Sequence, residues 1–108
     1  MFLSKAIIMT STIDKKHLRR LGHKLKPVVI IASKGLTNAV NVEIDRALRD
    51  HELIKVKIST GDRVAKKILS EQICRSQNAE SIQATGNILL IFRRAIKPNP
   101  KLSNLLRQ

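Results

Sequence analysis

The spacing of apolar residues divides the chain into seven short segments. Leu18, Leu21 and Leu25 recur at helical intervals, with Lys15, Lys16, Arg19, Arg20 and Lys24 between them, which predicts an amphipathic helix with one apolar stripe and a basic face. Ser11 or Thr12 is expected to cap it, with Asp14 in the first turn, where the helix dipole favours a carboxylate. Gly22 and Pro27 close it between them. Val28 to Ile31 is apolar and β-branched throughout, as a strand covered on both faces requires, so it is expected at the centre of a sheet. After the loop Ala32 to Gly35, the stripe Leu36, Val40, Ile44, Ala47 and Leu48 predicts a second helix capped near Thr37. From Glu52 to Thr60 the period changes to two. Ile54, Val56 and Ile58 face one way, and Lys55, Lys57 and Ser59 face a surface at least partly open. Gly61-Asp62 breaks this strand, and Val64, Ile68, Leu69 and Ile73 lay down a third helix running to about Gln77. Ser81 to Thr85 and Ile88 to Arg93 then read as a hairpin through Gly86-Asn87.

The segments predict an α/β fold: a single compact domain of order α-β-α-β-α-β-β, with three helices and a four-stranded mixed sheet. Strands separated by helices are expected to pair in parallel through right-handed crossovers, and the final hairpin to add one antiparallel neighbour. A chain of 108 residues has little room for a second core. The domain is assigned to residues 11–94. Residues 1–10 are expected to be a flexible leader, or an extension ahead of a start at Met9. Residues 95–108, with Pro98, Pro100 and no periodicity, are expected to form a flexible basic tail.

Charge turns this outline toward a partner. Lys and Arg number 21 against 8 Asp and Glu, a net charge of +13, and the excess is polarised. The first 36 residues hold eight basic side chains and one acid, Asp14; residues 81–108 hold five basic side chains and no acid; residues 37–62 are nearly balanced. A one-sign field of this kind attracts a polyanion, and nucleic acid is the leading candidate. With no Trp or Tyr and only Phe2 and Phe92, stacking bases on aromatic platforms is largely excluded, and reading of shape and phosphate backbone is favoured. The apolar stripe of the first helix is needed for the core and the helix lacks interfacial Trp or Phe, so no membrane partner is predicted.

Catalytic and metal chemistry find little to stand on. His17, His23 and His51 are not at metal-ligand spacing; His23 and His51 read as residues closing helices, where a cation suits the dipole. Cys74 falls within the third helix and reads as a buried structural thiol. As the only cysteine it excludes an intramolecular disulfide framework, which points to a reducing, cytoplasmic setting. Glu43 and Asp45 lie on a solvated helix face, and neither a phosphate-binding Gly-rich loop nor a Gly-x-Ser-x-Gly elbow is present. No enzyme activity, cofactor, metal or small-molecule substrate is predicted.

Residues 23–63 carry four blocks: His23-x-Leu25-x-Pro27-Val28-Val29, Gly35-Leu36-Thr37, Glu43-Ile44-x-x-Ala47-Leu48, and His51-Glu52-Leu53-Ile54-Lys55-Val56-Lys57. In these the sequence closely resembles the CRM domain, the chloroplast RNA-splicing and ribosome-maturation domain, in its bacterial stand-alone YhbY-type form. The likeness extends more weakly over about residues 11–94. The resemblance implies an RNA-binding fold similar to the C-terminal domain of bacterial translation initiation factor three. It also implies association with ribosomal RNA or the precursor of the large ribosomal subunit, and a role in ribosome assembly. The family's Gly-x-x-Gly loop, compared with the backbone clamp of KH domains, here reads Ala32-Ser33-Lys34-Gly35; the Cβ at Ala32 restricts positive φ and close backbone approach.

The expected mechanism is binding of structured RNA through phosphates. Lys15, Lys16, Arg19, Arg20, Lys24 and Lys26 would supply the field, Ser33, Lys34, Gly35, Leu36 and Thr37 would fix register, and Lys55, Lys57 and Arg63 would widen the contact. Two other readings stay open: a protein-interaction module docking on ribosomal or other acidic proteins, and a small non-specific DNA-binding protein. Self-repulsion argues against a dimer through the basic face, so a monomer is expected.

Overall fold

The structure is a computed structural model, and it describes residues 14–105. Seven elements follow the predicted order: α1 (Lys15–Gly22), β1 (Pro27–Ile31), α2 (Asn38–His51), β2 (Leu53–Ile58), α3 (Arg63–Gln77), β3 (Glu80–Thr85) and β4 (Ile88–Phe92). The sheet order is β1-β2-β4-β3. β1 runs parallel to β2, and β4 is antiparallel to both of its neighbours. The crossover through α3 therefore does not set β3 beside β2. The hairpin folds β4 back into the gap, giving two antiparallel pairs where one was expected. The reason is legible in β4: Leu89, Leu90, Ile91 and Phe92 are all at most 1% exposed, as a central strand requires, whereas β3 shows mostly polar or small residues to solvent.

The same criterion corrects the placement of β1. It is an edge strand, and its alternate residues Val28 and Ile30 are 49% and 60% exposed while Val29 and Ile31 are buried. β-branched residues favour an extended backbone whether or not both faces are covered, so VVII establishes a strand without establishing a centre.

Each sheet face has its own core. On one face α2 and α3 pack Ile44, Leu48 and Ile73 against Val29, Ile31, Ile54, Val56, Ile58, Leu89 and Ile91. On the other, α1 brings Leu18, Leu21 and the following Leu25 against Leu53, Ile82, Leu90 and Phe92. Gly22 is what lets α1 lie so close: a Cβ there would sit 2.6 Å from Leu90 Cδ2. The N-cap of α1 is Asp14, whose carboxylate accepts the Lys16 amide at 2.9 Å, in place of the expected first-turn position. Ser11 and Thr12, like the leader at 1–10, lie outside the described residues. Thr37 caps α2 as predicted, its Oγ1 accepting the Val40 amide at 3.2 Å. His23 closes α1, its amide donating to Arg19 O and Arg20 O.

Residues 95–105 differ from the free tail that their prolines suggested. Glu52, 2% exposed, accepts the Ser103 hydroxyl at 2.7 Å and the Ala95 amide at 2.8 Å. Asn104 Nδ2 donates to Leu53 O, and Leu105 packs beside the α1 core. The anchor is a set of polar side chains reaching back to the α2–β2 junction, which hydrophobic periodicity does not register. Residues 106–108 lie outside the described residues.

Candidate nucleic-acid interface

α1 packs against Leu53, Ile82, Leu90 and Phe92, while Val28 and Ile30 on the same face of the sheet stay 49% and 60% exposed, so among the described residues part of that face is uncovered. What it leaves bare is defined by register. Lys55 aligns with Pro27 and Leu90, and Lys57 with Ile30 and Ile88, on the face that α1 packs against. Lys57 is exposed and Lys55 half-buried, as the period-two pattern predicted. Exposed Ile30 stands beside Lys57 in the same row, so this end of the sheet offers cations with an apolar neighbour.

The basic helix borders this open face. Lys16, Arg19 and Arg20 are exposed at positions three and four apart, so they share one side of α1, and exposed Lys24 and Lys26 continue the charge toward β1. Lys15 is partly diverted, its Nζ lying 3.4 Å from Glu80 Oε2. Among the described residues, ion pairs are confined to Lys15–Glu80 and to Arg49 and Arg93 with Asp45, so Lys16, Arg19, Arg20, Lys24, Lys26, Lys34, Lys55, Lys57 and Arg63 have no carboxylate within 4 Å. Cations without a partner in the fold keep their full field for a ligand.

The loop after β1 stands at the end of the same strand. The Gly35 amide donates to Ala32 O at 2.9 Å, closing a tight turn that puts Ser33 and Lys34 in solvent. Gly35 takes φ +72, the value that needs glycine, while Ala32 is not among the positive-φ residues. The turn thus places its conformational demand on the glycine that is present and tolerates a Cβ at Ala32. Leu36 packs against the core and Thr37 Oγ1 is engaged in the cap, so these two hold the loop in place while Ser33 and Lys34 are presented. Arg63 stands apart from this set: it opens α3 and lines a groove on the opposite side of the sheet.

Two titratable groups are displaced. The Arg49 guanidinium, with Arg93 behind it, holds the Asp45 carboxyl below the usual carboxylate range against an opposing effect of partial burial. Asp45 is therefore part of a network and not of a freely solvated face: Arg93 Nη1 reaches its Oδ1 at 3.0 Å, Arg93 Nη2 donates to its carbonyl, and Arg93 Nη1 also donates to Gln77 O. A carboxylate with a depressed folded pKa stabilises the fold above its ordinary value of about 3.9, and this contribution is lost as pH falls through the folded value. Asp45→Asn is accordingly expected to flatten the acid limb of a melting-temperature profile taken from about pH 5 to pH 2; an unchanged limb would show that the network carries no acid sensitivity. Burial raises the Cys74 thiol above its ordinary value, which favours the protonated form, although the residue is only half-buried and lines the groove. Among the described residues no group of three His, Cys, Asp or Glu could hold a metal, and no helix is long and apolar enough to cross a membrane.

The fold and the cations left unpaired among the described residues thus define a class: a basic α/β domain in which a short helix packs on one face of a four-stranded sheet and leaves its β1 edge exposed. Residues 11–93 match the CRS1 / YhbY (CRM) domain family, and the chain belongs to that family. It is 43% identical over 94 residues to a Pseudomonas aeruginosa protein named "Probable RNA-binding protein PA4753", covering 87% of this chain and 90% of that one. It is also 43% identical over 83 residues to a Haemophilus influenzae protein named "RNA-binding protein", covering 77% and 84%. The solution structure of the hypothetical protein SAV1595 from Staphylococcus aureus superposes with a TM-score of 0.69 at 30% identity, over 77% of this chain and 86% of that chain.

Proposed function

We propose that this protein binds structured RNA through its phosphates, within ribosomal RNA of large-subunit precursors, and assists ribosome assembly. The observation that carries the reading is the set of cations on α1, on the turn after it and on β2 that face solvent without a carboxylate partner among the described residues. They flank an open sheet face, and the Ser33–Lys34 turn projects at its end. Relatives named as RNA-binding proteins support RNA over DNA. Lys16, Arg19, Arg20, Lys24 and Lys26 supply the field that steers association, with Lys15 contributing once it leaves Glu80. Lys34 and the hydroxyl of Ser33 meet a phosphate at the loop; Gly35, Leu36 and Thr37 hold that loop in shape. Lys55 and Lys57 extend the contact across the sheet.

Lys34→Ala is expected to weaken binding to a structured ribosomal RNA fragment by about five- to tenfold, the loss of one phosphate contact at roughly 0.1 M salt, with no change in melting temperature. Unchanged affinity would make the loop a connecting turn. The cellular reading is tested by sedimentation of lysate with and without nuclease: co-migration with large-subunit precursors that RNA digestion abolishes supports it. Co-migration that survives complete digestion would favour a protein partner.

A further inference from the structure

On the sheet face away from α1, a groove of about 750 Å³ runs between α3 and the β3–β4 hairpin, within the size range of small-ligand sites. Exposed Ala84 and half-buried Cys74 line it with apolar surface, over a floor formed by the core residues Ile58 and Leu89, which are 2% and 1% exposed. Arg63, Lys66 and Lys67 of α3 give it a basic margin, against one carboxylate in the lining, Glu71. Lys66 donates to the Asn87 side chain on the hairpin, which ties helix to hairpin across the groove and fixes one cation there. Arg63 and Lys67 have no carboxylate within 4 Å among the described residues.

Apolar lining with a cationic margin fits a flat, weakly polar body attached to an anionic chain, which is the chemistry of an unpaired nucleotide. An apolar peptide would leave three cations unanswered, and an acidic one would leave the lining unfilled. We propose that this groove takes one unpaired base of a bound RNA, with its flanking phosphates on Arg63 and Lys67. The inference rests on the RNA-binding reading and adds to it a second contact surface and a preference for interrupted helices. Burial in an aliphatic slot takes the place of aromatic stacking, which the composition of the chain does not provide.

The test uses the full chain and two RNA hairpins that differ by one unpaired 4-thiouridine in the stem. Unmodified protein is expected to bind the interrupted hairpin about tenfold more tightly than the fully paired one, the scale of one base contact. Ultraviolet crosslinks from the thiouridine are expected in the tryptic peptides bearing Ile58, Cys74 or Ala84. Ala84→Trp, which fills the groove from β3, is expected to reduce the preference while leaving the paired hairpin's affinity unchanged and the melting transition intact, and Lys67→Ala to weaken the interrupted hairpin more than the paired one. Crosslinks confined to α1, or a preference that persists in a folded Ala84→Trp, would overturn the groove as the site. Equal affinity for both hairpins would overturn it and leave RNA binding standing. Failure to bind either hairpin would instead overturn the reading on which it rests. Displacement of the crosslink by an oligoglutamate peptide, with the stem still bound, would assign the groove to acidic peptides and overturn the proposal.

Discussion

Replacing Lys16, Arg19 and Arg20 together by glutamate is expected to lower affinity for structured RNA by about a hundredfold or more at roughly 0.1 M salt, measured by filter binding or fluorescence anisotropy. Each phosphate neutralised releases close to one condensed counterion, so each lost contact costs somewhat under a factor of ten there, and three compound. The three side chains lie on the solvent side of α1 and are bound to nothing else in the described fold, so the melting temperature should stay within a few degrees of the unmodified protein. Position matters as well as net charge. A control carrying the same charge change at exposed Arg46, Arg75 and Lys101, on other elements, is expected to lose less than about tenfold. Equal losses in the two variants would mean that the field is diffuse and that α1 has no special place in it.

The second large effect concerns the fold. Glu52→Ala is expected to destabilise the protein by about 2–4 kcal/mol in urea or thermal unfolding, and to make the bond after Lys101 cleavable by trypsin before the rest of the domain. Glu52 is 2% exposed and sits at φ +65, a conformation that costs a non-glycine residue about 1–3 kcal/mol and persists only where its surroundings impose it. Its carboxylate accepts from Ser103 and Ala95, its amide donates to Leu48 O, and its carbonyl accepts the Arg93 amide, so one residue joins α2, β4 and the C-terminal segment. Truncation would leave the buried Ser103 hydroxyl without its acceptor. Glu52→Gln, which keeps an acceptor oxygen, should lose markedly less; equal losses for the two would show that the hydrogen bonds contribute little.

These two cases also show where sequence reading succeeds. The basic face of α1, the alternation on β2 and the Thr37 cap were all legible, because each rests on local periodicity or a local side-chain bond. The edge position of β1 was not: β-branching reports strand preference, and whether Val28 and Ile30 are covered depends on how far the eight-residue α1 reaches across the sheet. The α1 cap shifted to Asp14 because Ser, Thr and Asp are near-equivalent caps and several stood in a row. Glu52 gave no signal as an anchor, since its partners lie 43 and 51 residues away. At the candidate interface, charge counting found the cations but not their partners. It could not foresee that Lys15 faces Glu80, or that Arg63 lies on a groove behind the sheet.

The claim that holds the account together is that phosphates provide the binding, and the salt dependence of affinity for a structured RNA tests it most directly. With about six phosphates engaged by the unpaired cations, the logarithm of the association constant should fall linearly with the logarithm of salt concentration, with a slope of about −4 to −5. A slope near zero, with affinity retained at high salt, would contradict it.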